Sequence, residues 1–414
     1  MPHARMGNDR LAGVNFERMR AYRLDQAKKA MDKFGLDCII TWDAYSIRYI
    51  CSGYPTVPCR FTQAQFVVLP RNGDPHAFLS TSFSCYKLRE EMPWMNGKIW
   101  AQPVGLKSCD TIDDLEPHMG KIIPILEEHG LMDGVIGLDG CSKELLFSAA
   151  LKAKGVKEVR NAETAMFYAR RIKNEDEIAC MKLAAGSAEA AFDSIQRAIR
   201  PGVKECDLVG VGMKTLYELG ADEVMEFVCA SGPRTNPLHI DYTDRVIRPG
   251  DCIAIDINGN SFLGYKSCYY RTFVCGKATQ IQKDVYKTCR DMLYAGMEGV
   301  KAGNTTGDIC NGWPHSPKYW GYDQWIDVSG YAMGHGLGIS LHEYPRVFKY
   351  ASTRPEHNPV VLEENMVLAL ETWVGGEDPR YGKFGIRLEE EVRVTKDGYE
   401  LLTLYPIDEI IECL

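Results

Sequence analysis

Two histidines, His335 and His342, stand seven positions apart in the run Gly334-His335-Gly336-Leu337-Gly338-Ile339-Ser340-Leu341-His342-Glu343. Glycines around His335 let backbone come close to whatever its imidazole touches. Acidic residues occur at the ends of apolar segments on either side of this run. Asp256 follows Cys252-Ile253-Ala254-Ile255, Glu371 follows Met366-Val367-Leu368-Ala369-Leu370, and Glu389 follows Gly385-Ile386-Arg387-Leu388. Imidazole and carboxylates delivered from separate apolar strands build a metal centre or an acid–base site on a rigid sheet. Glu371 ends what reads as a buried strand, and a buried carboxylate needs a cation or donors beside it.

A third histidine, His239, sits in the polar segment Asn236-Pro237-Leu238-His239-Ile240-Asp241. Imidazole takes and returns a proton near neutral pH. Read from its neighbours alone, His239 is a surface residue capping a turn. Arg387 is placed to pair with a carboxylate or to clamp a substrate carboxylate in two-pronged fashion. Tyr265, Tyr269, Tyr270 and Trp373 crowd the same segments. Rings facing a pocket would hold a cationic nitrogen or sulfonium by cation–π attraction. The commoner role for strand aromatics is packing the sheet.

The elements that must position these groups alternate between helix and strand. The spacing of Met19, Tyr22, Ala27 and Met31 predicts a helix over residues 16–34, stopped at Gly35. Residues 38–42 and 65–69 read as strands, the second closed by a turn at Asn72-Gly73. Asn174 followed by Glu177 is a capping-box pattern that opens a second long helix, which stops at Arg200-Pro201-Gly202. Residues 1–10 read as a tail, 11–165 as a first α/β domain, and 166–414 as the domain carrying the chemistry. That domain holds an internal echo. Arg200-Pro201-Gly202 precedes Asp207-Leu208 as Lys301-Ala302-Gly303 precedes Asp308-Ile309, each reading as a helix stop followed by an aspartate cap. Two such halves would enclose a site at their seam.

Composition bounds the partners. The chain has 414 residues, 45% hydrophobic and 25% charged, with net charge −8. That is a globular composition, and its sign argues against nucleic acid or an anionic membrane as the main partner. No apolar run is long enough to span a membrane, and the polar start lacks the core of a signal peptide. The 15 cysteines show no C-x-x-C pair. They read as free thiols suited to a reducing compartment, so a cytoplasmic location is expected.

Several motifs together resemble the pita-bread superfamily of methionine aminopeptidase, prolidase, aminopeptidase P and creatinase. They are Ser231-Gly232 through His239, Arg245 to Asp251, Asp256, Gly264-Tyr265, Arg271-Thr272-Phe273, Gly334 through Glu343, Glu371, and Gly385 through Glu389. The resemblance implies an α+β chain: a creatinase-like α/β N-terminal domain, then a pita-bread domain of pseudo-twofold α/β halves. It also implies a homodimer acting on a small molecule, with an arginine near Arg60 reaching a partner subunit's site.

The family's metallopeptidases bind two divalent ions through two aspartates, one histidine and two glutamates. Here Asp256, His335, Glu371 and Glu389 match that set, while Cys268 stands where the second aspartate belongs. A thiolate prefers softer metals and bridges a manganese pair poorly. Cofactor use is therefore expected to be none, or a single atypical divalent metal, rather than the full two-metal site. The corresponding function is a creatinase-like hydrolase cleaving a C–N bond in a small zwitterionic or amide-like compound. His239, His342, Glu371 and Glu389 would be its catalytic residues. Tyr265, Tyr269, Tyr270, Trp373, Arg387 and Arg60 would bind substrate. One alternative is an Xaa-Pro-type metallopeptidase with Cys268 as a substitute ligand. The other is a C–S lyase like the dimethylsulfoniopropionate enzyme, whose further aspartates would match Asn258 and Cys268 and are missing here.

Overall fold

The computed structural model describes residues 13–53, 57–95, 97–102, 104–324, 333–348 and 359–414, and side chains 57–59 are not described. The expected tail at residues 1–10 lies outside them. The chain divides into two compact units, with the division between Arg170 and Arg171.

The unit before that division is built on a mixed six-stranded sheet. Its order is Ile99–Ala101, His76–Leu79, Phe66–Pro70, Cys38–Thr41, Val135–Asp139 and Glu158–Asn161. The central strand Cys38–Thr41 pairs antiparallel with Phe66–Pro70 and parallel with Val135–Asp139. Both partners are therefore reached from one fully buried strand. The helix Phe16–Phe34 has the bounds its periodicity predicts. Asn15 caps its first turn, and Gly35 ends it at φ 65°, a left-handed conformation that glycine adopts without a Cβ penalty. Arg60 lies in this unit, on the short helix Val57–Thr62.

The unit after the division holds two sheets, each backed by a long helix. One orders Ile411–Cys413, Tyr265–Cys275, Cys252–Phe262 and Glu226–Ser231. The helix Glu175–Ala198 packs on it, opened by the Asn174/Glu177 capping box. The other sheet orders Glu343–Val347, Gly334–Gly336, Val367–Asp378, Gly382–Val394 and Tyr399–Leu401. Gln280–Met297 packs on that one, and the apolar face it presents joins the larger core. The internal echo corresponds to the helices Glu205–Glu218 and Thr306–Asn311. Asp207 and Asp308 are not the cap residues themselves. Each stands three positions further on and accepts from the backbone N–H of Lys204 or Thr305.

The sheets meet where Tyr265–Cys275 lies against Gly382–Val394. Thr272 Oγ1 donates to the Arg387 carbonyl at 2.8 Å and accepts from the Arg387 N–H at 3.0 Å. Arg271, fully buried, donates to the Glu389 carbonyl and pairs with Glu390 at 2.7 Å. Arg271 thus has the structural ion pair its motif position suggests. This polar seam fixes one strand's residues against the other's.

Candidate functional site

Strand alternation sends Asp256 and Asn258 to one face of Cys252–Phe262, and Cys268 and Tyr270 to the matching face of Tyr265–Cys275. The ladder pairs Asp256 with Tyr270 and Asn258 with Cys268, with a bulge just beyond Asn258. In the second sheet Glu371 lies directly opposite Glu389, and Trp373 opposite Arg387. Like charges facing each other across a ladder destabilise it unless a cation intervenes. His335 comes from the adjacent short strand, opposite Ala369. Its neighbouring glycines make that approach feasible. A Cβ on Gly334 would fall 2.7 Å from the Ala369 carbonyl, and one on Gly336 2.5 Å from the Tyr344 carbonyl.

Cys268, His335 and Glu389, all buried, bring their ligand atoms within 4.8 Å of one another. His335 Nδ1 lies 2.9 Å from the Gly336 carbonyl. A carbonyl only accepts, so Nδ1 carries the proton and Nε2 keeps its lone pair, 3.9 Å from Glu389 Oε1. Burial pushes the His335 pKa down to about 4, holding the ring neutral. Among the described residues, no hydrogen bond of normal geometry reaches either carboxylate oxygen of Asp256 or of Glu389. The donors that approach them, weakly, are the Tyr270 hydroxyl at Asp256 and the Cys268 thiol at Glu389, both lining the same space. Burial raises both carboxyls well above the usual range. Glu371 adds to the rise at each, and Arg387 opposes it. Cys268 is raised likewise, first by burial and then by Glu389 and Asp256. Four buried carboxylate oxygens without a hydrogen bond of normal geometry, beside a neutral imidazole and a thiol, form a cradle that fits a divalent cation.

Glu371 is partly satisfied already, because Arg387 Nη2 pairs with its Oε2 in the buried interior. The guanidinium stacks over Tyr270, 4.5 Å from the ring centroid, and near Trp373 at 5.7 Å. A cavity of about 270 Å³ opens on the far side of this group. Trp320, Tyr322 and Trp373 wall it, and Thr235 to Leu238 roof it.

The remaining sequence-level candidates divide. His342 meets His335 edge to face, with ring centroids 4.4 Å apart, so the two histidines do share one site. Tyr270 and Trp373 flank it through Arg387. Tyr265 and Tyr269 do not face it. The Tyr265 hydroxyl donates to Glu177 at 2.6 Å, and Tyr269 packs edge-on against Phe192. Odd and even positions of a strand point to opposite faces, and these two rings share the helix-packed face. His239 is exposed, with Nδ1 3.4 Å from Arg234 Nη1, on the segment that roofs the cavity. Asn258, passed over as a missing aspartate, instead accepts from the Cys268 thiol at 2.8 Å. Glu391 was not singled out from sequence. It accepts from Ser267 Oγ at 2.7 Å and from the Cys268 N–H at 3.0 Å.

Comparison with known proteins supports the reading of the fold. The model of metallopeptidase family M24 matches residues 179–396. An Xaa-Pro dipeptidase of Pyrococcus horikoshii is 30% identical over 260 residues, covering 62% of this chain and 70% of the relative. An Xaa-Pro dipeptidase of Pyrococcus furiosus is 28% identical over 270 residues, covering 65% and 73%. Among solved structures, an Xaa-Pro dipeptidase from Bacillus anthracis superposes with a TM-score of 0.75 at 23% identity, over 95% of this chain and 99% of that one. The prolidase from Pyrococcus furiosus gives 0.68 at 22% identity, over 92% and 99%. These are pita-bread proteins, and the expected fold class holds.

One expectation is overturned. A site with no metal, or with a single atypical ion, does not agree with a metallopeptidase family model that matches residues 179–396, a span containing the whole cradle. The physical reason lies in the cradle. Replacing one aspartate by Cys268 leaves Asp256 and Glu389 still buried without a hydrogen bond of normal geometry, and a bound cation offsets the cost of keeping them ionised there. No helix among the described residues is long and apolar enough to cross a membrane.

Proposed function

This chain belongs to metallopeptidase family M24, and from that premise we propose that it is a metal-dependent dipeptidase hydrolysing the bond before proline in small Xaa-Pro substrates. The observation that carries the proposal is the convergence of buried Asp256 and Glu389, whose four carboxylate oxygens lack a hydrogen bond of normal geometry, on Cys268 and His335 Nε2. The substrate class follows the names of two relatives similar to the chain. This reading replaces the metal-free C–N hydrolase of small zwitterions, which leaves those carboxylates uncompensated. It also stands ahead of the C–S lyase, whose two further aspartates are Asn258 and Cys268 here.

Asp256, Cys268, His335, Glu371 and Glu389 would hold the metal. Bound there, a divalent ion polarises a carbonyl and lowers the pKa of a bound water toward neutrality. The chain's own residues do the rest. The Gly336 carbonyl fixes the tautomer and aim of His335. Arg387 anchors one oxygen of Glu371 and so orients the other. His239, exposed next to the cavity-lining Leu238, and His342, beside His335, would carry protons between water and the leaving proline nitrogen. Trp320, Tyr322 and Trp373 exclude water from one side of the substrate. The protein is further read as a cytoplasmic homodimer, following the family resemblance and the thiol-rich composition.

The test is proline release from a panel of Xaa-Pro dipeptides by protein stripped with chelator and reloaded with divalent ions. Turnover that is lost on stripping, restored on reloading and reduced in His239→Ala is the expected result. Reloaded protein that binds metal but cleaves no Xaa-Pro dipeptide would sink the proposal.

A further inference from the structure

The residue that departs from the family's ligand pattern is held by both its main chain and its side chain. The Cys268 backbone N–H donates to Glu391 Oε1 at 3.0 Å, and the neighbouring Ser267 hydroxyl donates to the same oxygen. The Cys268 thiol donates to Asn258 Oδ1 at 2.8 Å. Asn258 is in turn held by Glu226, its Nδ2 lying 3.2 Å from Glu226 Oε2. The backbone N–H would need a partner at any buried position, but the thiol's polar side-chain partner at the rim of the carboxylate cluster sets this cysteine apart from one that only fills space. Here main chain and side chain are both fixed, and the sulfur faces Glu389 and His335 within 4.8 Å. The second, independent observation is Glu389 itself. It is fully buried, it is aimed into the same space, and among the described residues its oxygens have no hydrogen bond of normal geometry, only the approach of the Cys268 thiol itself.

We infer that Cys268 is a metal ligand, and that its sulfur makes this centre select thiophilic divalent ions, zinc and cobalt above manganese and magnesium. The inference rests on the metallopeptidase reading and adds which ions the site prefers. On binding, the S–H bond breaks, the sulfur lone pair forms the metal–sulfur bond, and the proton leaves to solvent. Soft sulfur with imidazole suits zinc and cobalt, whereas an all-carboxylate set suits manganese and magnesium. Asn258 is suited to both states. Its amide oxygen accepts from the thiol, and being neutral it adds no charge against the thiolate. A thiolate bridges two soft cations as a carboxylate bridges two hard ones, so the exchange of donor suits a two-ion centre.

The test uses the full chain, stripped of metal and kept reduced with a phosphine. Cobalt(II) titration of the wild type is expected to give a near-ultraviolet sulfur-to-cobalt charge-transfer band, with one proton released per thiolate formed. Cys268→Ser should abolish the band. It should also weaken zinc binding, measured against manganese by competition, by at least the roughly 10- to 100-fold that loss of even an outer partner costs. Cys268→Asp should turn the preference toward manganese. Cadmium-113 resonance of the wild type, in the range of sulfur coordination, keeps the test independent of whether either variant folds. Cobalt bound without the band, a cadmium shift typical of oxygen and nitrogen donors only, or a band unchanged in Cys268→Ser would overturn the inference. Such results leave the dipeptidase reading standing if proline release persists. A sulfur-ligated ion without any Xaa-Pro hydrolysis does the reverse.

Discussion

At the scale of single residues, the site is governed by how few cations it contains. Asp256, Glu371 and Glu389 are three buried acids on facing strands, and Arg387 is the guanidinium that pairs among them. Glu371 holds it firmly enough to raise its affinity for a proton despite burial. Truncating Arg387 strands a carboxylate in the interior. In chelator-treated protein, Arg387→Ala is expected to cost about 3–5 kcal/mol of unfolding free energy, read by urea denaturation. Removing both charges in Glu371→Gln/Arg387→Met should return most of that loss, because a buried pair replaced by apolar or neutral groups is near neutral. A double variant as unstable as the single one would show that Arg387 acts through packing on Tyr270 instead. The three acids were legible in sequence because each follows an apolar segment, and His335 because glycines flank it in a run that holds a second histidine. The Arg387–Glu371 pair was not, because it depends on the ladder register that puts Trp373 opposite Arg387.

At the scale of elements, the alternation of the strands sorts the candidates, and sequence reasoning used it only in part. Tyr265 and Tyr269 share parity with each other and not with Cys268 and Tyr270, so period-two reasoning would have removed them. The helix Phe16–Phe34 was fully readable, because its stop is a local glycine at positive φ. The bulge beyond Asn258 was not, because it depends on pairing with a strand ten residues away. The second prediction belongs here. Gly385 lets the Gly382–Val394 strand run beneath Thr235. A Cβ there would fall 2.1 Å from the Thr235 carbonyl oxygen, and that oxygen belongs to backbone that cannot swing aside. Gly385→Ala must therefore displace the segment bearing Asn236 to His239. Kcat/KM for an Xaa-Pro dipeptide is expected to fall by about 100-fold, the cost of misplacing a reacting group by an ångström, with metal content unchanged. Gly186→Ala, within the helix Glu175–Ala198 with nothing near its would-be Cβ, is the control. It should stabilise the protein by roughly 0.5–1 kcal/mol and leave turnover alone. Equal losses in metal content and activity for Gly385→Ala would place the glycine in the cradle's support instead of the cavity's.

At the scale of the whole molecule, the unit without the metal cradle has an acid sensitivity of its own. The unit holding residues 15–170 buries His76 and His118, and at His76 the upward pull of Glu128 and Asp74 is too weak to offset burial. His76 stacks on Trp100 at 5.6 Å, and among the described residues neither of its ring nitrogens has a hydrogen-bond partner. Burial lowers its pKa to about 4, with Lys98 and His129 contributing. His118 is lowered to about 4 by burial and then by Lys121. The unfolded chain takes up these protons near pH 6.5 and the folded unit only near pH 4. Between those values the unfolded state binds more protons, so stability is complete above about pH 6.5 and drains away as pH falls toward 4. Asp139, buried and raised to about 7, contributes with the opposite sign over an overlapping range. The wild-type slope is therefore a difference, and a variant isolates the histidine part. His76→Phe keeps the stacked ring and removes the titration. Its stability relative to wild type is expected to improve as pH drops from 6.5 to 4, by up to about 3 kcal/mol. Amide hydrogen exchange in peptides covering His76–Leu79 reads this unit separately from the other. A stability difference between variant and wild type that stays constant across that pH range would mean that the imidazole finds a proton-stabilising partner in solution, and the acid sensitivity of this unit would have to come from elsewhere.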